Sequence, residues 1–365
     1  MSLALENFVD VKIKRKATGQ NNLVYDTVIY VDPQADTEGH APIGYYSANG
    51  SNGNGSKEKP WGPDKLQNDN FKKWANIFFA NNGKYINHVQ DFKYDSINKC
   101  YYWTVSGDRH EIPLNEIVVV GVPAGSDLDT LPIITEGINQ KIFLVMDTIE
   151  QKLEGVVEVY SSASNTLVTA PMAAYYTQID ITNPSTIKDY CFTVVKDDTA
   201  GDLNLETEDS FNSNTGLVAN INYIAYLAGA YRNIGGDDTA GIDITNTFMK
   251  IVLQQVLTNT LMNLLVSKIK LDSSGIIAVK NATAKVMTQF VNNGYISTEK
   301  AWPDEDLYID NELVAEKDTP LIDGYKIHVS PITQDDIKNH QIPTVYIVYG
   351  DQVGVRKITI SGEVF

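Results

Sequence analysis

The spacing of apolar positions changes several times along this chain, and each change predicts an element. Over residues 7–31, Phe8, Val9, Val11 and Ile13 nearly alternate with polar residues. After the Thr18-Gly19-Gln20-Asn21-Asn22 turn cluster, Leu23, Val24, Val28, Ile29 and Val31 form a second run, closed by Asp32-Pro33. Two strands are predicted there. Phe71, Trp74, Ile77 and Phe78 fall on one face of a helix over 69–80, stopped by Asn81-Asn82-Gly83. Strand-like runs follow at Tyr101–Val105, Ile117–Val122, Ile142–Met146 and Val156–Tyr160, the last two apolar enough for central strands of a covered sheet. Pro171–Tyr176 and Ile179–Ile181 then lead to a further run at Tyr190–Val195.

Two long helices are predicted in the last third. In the first, about 246–267, Phe248, Val252 and Val256 make one stripe and Met249, Leu253, Leu257, Leu261 and Leu265 the next, with Thr245 or Asn246 as cap. In the second, about 277–292, Val279, Thr283, Val286 and Phe290 are in register. Asp272, Ser273 or Ser274 is its cap and Gly294 its stop. The chain then reads as a ribbon: Tyr346–Tyr349, a Gly350-Asp351 turn signal, and Val353, Val355, Ile358, Ile360 and Val364. A two-stranded ribbon is marginal in water, so this one is covered either by its own domain or by the sheet of another copy.

Between these elements, 41–63 is rich in Gly, Ser and Asn and is expected to be an exposed, flexible loop, and the acidic, polar stretch 197–213 is expected to be a loop. Length and composition, 365 residues with 43% hydrophobic and 21% charged, describe a globular chain of about two domains. The net charge of -17 repels phosphates and argues against nucleic acid. The main basic run, Lys12-Ile13-Lys14-Arg15-Lys16, is either a solvated strand edge or a partner for an acidic face on a neighbouring copy. Two distant cysteines, Cys100 and Cys191, predict reduced thiols and an intracellular folding compartment. No apolar run suits a bilayer span or a signal peptide.

Candidate chemistry is thin. Gly50–Lys57 has the glycines of a phosphate loop but no strand leading in and no helix starting at its end. The pentapeptide Asp-Asp-Thr-Ala-Gly occurs at 197–201 and 237–241, offering oxygens to calcium without the alternating acids of an EF-hand, and turn chemistry accounts for both copies. Five scattered histidines show no metal-ligand spacing, and neither Cys100 with His88 or His110 nor the Asp304-Glu305-Asp306 cluster beside Trp302 has a supporting motif. No catalytic residue, metal or cofactor is predicted. Twenty tyrosines suit either strands or broad protein–protein surfaces.

One resemblance bears on function. Gly324-Tyr325, Ile327, Pro331-Ile332 and Gln334-Asp335, then Ile342-Pro343, Val345, Ile347, Val348 and Gly350, then Val355, Ile358, Ile360, Gly362 and Val364, together resemble the C-terminal region of contractile phage tail sheath proteins. Lys338, Asn339 and His340 stand where that family carries more arginine. The helix–Asp/Gly–helix stretch 268–296 and, less closely, 173–193 are similar to the same family. The resemblance implies a mixed α/β core, with a mixed sheet flanked by helices, built from N-terminal strands and the C-terminal third. Residues 1–40 would be an arm and core strands, 41–197 a peripheral or inserted region, and 198–365 the C-terminal core.

It further implies a structural protein with no enzymatic activity: hexameric rings of this chain stacked as a helical polymer around a tail tube protein, bounded by a baseplate and a tail terminator. The assembly would form in the host cytoplasm and end in the virion, with no nucleic acid and no membrane insertion. Strand exchange between neighbours would use Phe8, Val9, Val11 and Ile13 at one end and Val355, Ile358, Ile360 and Val364 at the other. The alternatives are a tube or baseplate component, or an enzyme acting on glycans through an acidic cleft.

Overall fold

The computed structural model describes residues 26–32, 34–67, 69–95, 97–98, 100–105, 108–111, 117–121, 141–146, 156–160, 166–180, 182–196, 203, 222–238 and 240–352. The chain divides into two compact units. One comprises Asn22–Asp180 with Thr186–Thr245. The other comprises Met1–Asn21, Ile181–Ser185 and Asn246–Phe365. The class is mixed α/β, as expected.

The first unit is built on a six-stranded sheet. Its strands are β1 (Thr27–Val31), β2 (Gly44–Ser47), β3 (Tyr85–Val89), β7 (Ile117–Gly121), β8 (Lys141–Met146) and β9 (Val156–Glu158), in the order β2-β3-β1-β7-β8-β9. A separate three-stranded meander uses β4 (Lys93–Asp95), β5 (Cys100–Val105) and β6 (Asp108–Glu111). Only β2 runs antiparallel in the large sheet; β3, β1, β7, β8 and β9 are parallel neighbours. That is why β1 reads as an uninterrupted apolar run: Val28, Ile29, Tyr30 and Val31 are all buried.

The crossover from β1 to β3 passes through α1 (Asp69–Ala80), whose Phe71, Trp74, Ile77 and Phe78 are fully buried as their spacing predicts. Asn82 takes the left-handed turn after it, at φ 65°. α1 packs against α2 (Thr169–Thr177), a helix of small and aromatic residues buried on nearly every side, and the Trp74 indole donates to Thr169 Oγ1 at 2.9 Å.

Two expectations are corrected here. The Gly-rich segment 41–63 is at the surface but is not an unstructured loop. β2 lies within it, Tyr45 N–H donates to the Gly55 carbonyl, Trp61 N–H to Tyr45 and Ser47 N–H to Trp61. Its glycines permit backbone contact: a Cβ on Gly44 would come within 2.9 Å of the Trp61 ring, and one on Gly53 would collide with the Pro60 carbonyl. Composition alone hid this, because the order comes from a single aromatic ring and a backbone ladder. Second, 190–195 is a series of turns with one bridge, Val194 to Arg232, and not a strand. Phe192 has φ 64°, which interrupts any extended run, and its N–H donates to the Asn233 carbonyl instead. The partner is the hairpin of β10 (Tyr223–Leu227) and β11 (Ala230–Ile234), turned at Ala228-Gly229 with both φ positive.

The second unit begins along α3 (Ile244–Val266). Its cap is Asp243, whose carboxylate accepts from Thr245 N–H at 2.8 Å, rather than Thr245 or Asn246. Phe248, Met249, Val252, Leu253 and Leu257 are buried, whereas Leu265 at the end of the expected stripe is exposed. α4 (Ser273–Asn292) starts four residues before its apolar periodicity does, because the Asp272 carboxylate accepts from the N–H groups of Ser274 and Gly275. Val279, Thr283, Val286 and Phe290 are buried in register, and Gly294 closes the helix at φ 77°. Two hairpins follow: β12 (Leu307–Ile309) with β13 (Glu312–Ala315), then β14 (Tyr325–Val329) with β15 (Val345–Tyr349), the latter pair joined through the short helix α5 (Gln334–Asn339). A reciprocal box between Thr333 and Asp336 caps α5.

Candidate assembly surface

The ribbon of β14 and β15 is the C-terminal feature the sequence pointed to, with a partner the sequence did not reveal. Tyr346–Tyr349 pairs with Tyr325–Val329, in the register Tyr325 to Tyr349 and Val329 to Val345. The alternation of Tyr325, Ile327 and Val329 with Lys326 and His328 was a legible strand signal, but the α5 stretch separates it from its partner.

The ribbon is held on both faces. On one, the Tyr325 hydroxyl lies 3.0 Å from Thr288 Oγ1 and donates to the Ala284 carbonyl at 3.2 Å, which seats β14 on α4. On the other, Lys326 Nζ donates to the Leu313 carbonyl at 2.9 Å, and Val348 packs with Val314 and Ala315. There His328, nearly buried, places Nε2 at 2.8 Å from Asp310 and Nδ1 at 3.1 Å from Glu312, so a single imidazole spans the turn of the β12–β13 hairpin. Hydrogen bonds from Ser330 and His328 hold the Asp310 carboxyl below the usual range.

Beyond β15 the chain is anchored. Ser297 N–H donates to the Gly350 carbonyl and Gln352 N–H to the Tyr295 carbonyl, while the Tyr295 hydroxyl donates to Pro184. Gly324 makes room for this: at φ 75°, a Cβ there would lie 2.9 Å from the Ser297 carbonyl oxygen. Gly350 and Gln352 are therefore held in place.

The register decides which backbone groups the ribbon spends on itself. Ser330 N–H bonds the Thr344 carbonyl and Gly350 N–H the Gly324 carbonyl, so the pairs Lys326–Val348 and His328–Tyr346 point their backbone groups inward. Those of Ile327 and Val329 on one edge, and of Val345 and Ile347 on the other, point outward. Among the described residues, neither outer edge carries a further strand. The arrangement is a rigidly seated ribbon with two edges able to accept main-chain hydrogen bonds.

The strand-exchange residues expected from sequence, Phe8, Val9, Val11, Ile13, Val355, Ile358, Ile360 and Val364, lie outside the described residues. Other candidate groups are occupied in ways that need no ligand. Lys57 of the Gly-rich segment pairs with Asp26 at 2.8 Å, and Asp238 of the second Asp-Asp-Thr-Ala-Gly accepts from the N–H groups of Ala240 and Ile242. His88 meets Asp32 and the Pro42 carbonyl, His110 stacks on Trp103, and Glu305 pairs with Lys317. Among the described residues no group of His, Cys, Asp and Glu is placed to hold a metal ion, and no helix is long and apolar enough to cross a membrane.

No family model matches the sequence, and no curated protein matches it. Solved structures do. A chain of the sheath complex of PVC, an extracellular contractile injection system, in its contracted state, matches with a TM-score of 0.55 and 13% identity, over 98% of this chain and 97% of that one. A chain from the anti-feeding prophage (AFP) baseplate matches with a TM-score of 0.50 and 12% identity, over 97% and 98%. A sheath tail protein of Desulfitobacterium hafniense matches with a TM-score of 0.44 and 10% identity, over 80% and 91%. From the first two, over nearly its whole length, this chain has the fold found in contractile injection systems, including that of a sheath chain.

Proposed function

We propose that this protein is the structural subunit of a contractile sheath: it polymerises around a tail tube and contracts to drive the tube through a target envelope. The observation that carries the reading is the full-length fold correspondence with the sheath chain of an extracellular contractile injection system. The open-edged β14–β15 ribbon supports it, as the acceptor that strand exchange requires. In this reading Phe8, Val9, Val11 and Ile13 of one neighbour and Val355, Ile358, Ile360 and Val364 of another add to the two edges. Main-chain bonds then persist while side-chain faces repack during contraction. The partners are other copies in stacked hexameric rings, a tube protein, a baseplate and a terminator, in a particle assembled in the host cytoplasm. Work comes from a metastable extended polymer, so the chain needs no nucleotide and no catalytic site.

Electron microscopy of the full-length chain beside a version ending at Gly354 tests this. Tubes or rings from the first and monomers from the second are expected. Monomers from both, with purified tube protein present, would overturn the reading. A second reading, a baseplate component, draws on the anti-feeding prophage neighbour, whose structure is that of a baseplate; it predicts a single ring and no long tubes.

A further inference from the structure

Charge is distributed very unevenly within the second unit. Residues 244–298 hold five lysines and a single carboxylate, Asp272, in a chain whose net charge is -17. Four of those lysines, Lys268, Lys270, Lys280 and Lys285, are exposed, and none is in an ion pair among the described residues. Lys268 and Lys270 lie in the turn between α3 and α4, and Lys280 and Lys285 follow along α4; the same stretch leaves apolar side chains exposed. Val266 at the end of α3 is 69% exposed and Ile277 in the first turns of α4 is 57% exposed. Apolar side chains left in water at a helix corner cost free energy unless something covers them.

The opposite character gathers in residues 301–323, around β12 and β13. That stretch holds eight carboxylates, all exposed, and one lysine. It too shows apolar side chains among its charges: Tyr308 is 60% exposed and Ile322 94% exposed. Lys317 is used internally, on Glu305. Asp304, Glu316 and Asp323 have no ion-pair partner among the described residues. Among the described residues, no lysine of the corner pairs with any of these acids, and each surface is open to a complement on another copy.

We propose that the α3–α4 corner of one copy docks on the acidic β12–β13 region of a second copy. The inference rests on the sheath reading, which requires copies to meet, and it names a contact separate from strand exchange. The two surfaces match in sign and each places apolar groups amid its charges, which is the anatomy of a specific interface: charges steer and set register while the apolar centre is desolvated. Because the surfaces differ, the contact is head-to-tail. It leaves a free corner on one copy and a free acidic face on the other, so it propagates into a ring or helix instead of closing as a dimer.

The test uses the full-length chain in sedimentation and electron microscopy. One variant carries Lys268→Glu, Lys270→Glu and Lys280→Glu; a second carries Asp304→Lys, Glu316→Lys and Asp323→Lys; a third carries all six. Each triple variant is expected to raise the concentration for half-assembly by roughly tenfold at low salt. The six-fold variant, and an equimolar mixture of the two triples, is expected to return to within about threefold of wild type. About 1 M salt, where the screening length is about 3 Å, should abolish the difference. Circular dichroism and melting curves verify that each variant folds. Wild type assembling while both triples stay within about twofold of it overturns the proposal and leaves the sheath reading intact. So does loss of assembly in both triples without rescue by swap or mixture. Failure of wild type to assemble overturns the sheath reading, and this proposal falls with it.

Discussion

His88 Nε2 lies 3.1 Å from Asp32 Oδ2 at the carboxyl end of the parallel strands β1 and β3, with the imidazole fully buried and stacked 4.0 Å above Phe71. Its Nδ1 meets the Pro42 carbonyl at 3.1 Å, so one ring ties the end of β1 to the start of the Gly-rich segment. Burial alone would raise the Asp32 carboxyl. The hydrogen bonds from His88 and Gln34 N–H, with the charges of His88 and His40, outweigh it and hold the group below the usual carboxylate range. A carboxyl depressed in this way contributes stability that is complete above its unfolded value of about 3.9 and is lost as pH falls through the lower folded value. Asp32→Asn should therefore destabilise by about 2 kcal/mol at neutral pH and converge with wild type in acid, measured by denaturant unfolding across pH. A pH-independent gap would mean that shape, and not charge, is what the position supplies.

Asn222 is a second buried polar hub. Its Oδ1 accepts from Gly236 N–H at 2.6 Å and its Nδ2 donates to the carbonyls of Glu158 and Asp237, both at 3.0 Å. Its own backbone continues the sheet beside Val159. Asn222→Leu keeps the volume but takes the side-chain partner from Gly236 N–H and the Asp237 carbonyl and one of two donors from the Glu158 carbonyl, and should cost about 3 kcal/mol by chemical denaturation. A loss under about 1 kcal/mol would show that water replaces the amide there.

The ordered glycines of 41–63 make a sharp contrast with their composition. Gly53→Ala drives a Cβ into the Pro60 carbonyl and Gly62→Ala into that of Gly50. Each should cost about 2 kcal/mol in thermal unfolding. Ser51→Ala, at an exposed position of the same segment, should change stability by less than about 0.5 kcal/mol. Equal, small effects at all three positions would mean that the segment tolerates change as a loose loop does.

Residue parity on the ribbon separates folding from assembly. Ile347 directs its N–H outward and Tyr346 directs its own toward β14. Ile347→Pro should therefore fold normally, within about 1 kcal/mol, yet fail to form tubes, because an edge proline keeps the internal ladder and blocks an added strand. Tyr346→Pro should instead destabilise the chain itself by about 3 kcal/mol. Tubes from the Ile347 variant at wild-type concentration would exclude strand addition on the β15 edge.

Much of the local structure was legible. The buried faces of α1 and α4 were readable because 3.6-residue periodicity is a local signal, and Phe71, Trp74, Val279 and Phe290 all stand where it places them. Helix starts were less accessible. Asp272 caps α4 and was among the capping residues the sequence offered, whereas Asp243 caps α3 from outside the apolar pattern and was not. The exposed corner of α3 was missed for a related reason: Leu265 continues the stripe of Leu253 and Leu257, and periodicity records which side a residue is on without saying whether anything covers it.

What the sequence by itself determined, then, is the set of elements, their apolar faces, the acidic character of the whole and a C-terminal pattern resembling sheath proteins. Those properties are set by neighbours within a few residues or by simple sums over the chain. Only the tertiary structure decided that β15 takes β14 as a partner, that β1 lies between β3 and β7, and that a glycine-rich stretch orders itself on Trp61. Each of those outcomes depends on contacts between segments far apart in sequence, where many pairings satisfy the same local pattern and the packing of the whole selects one.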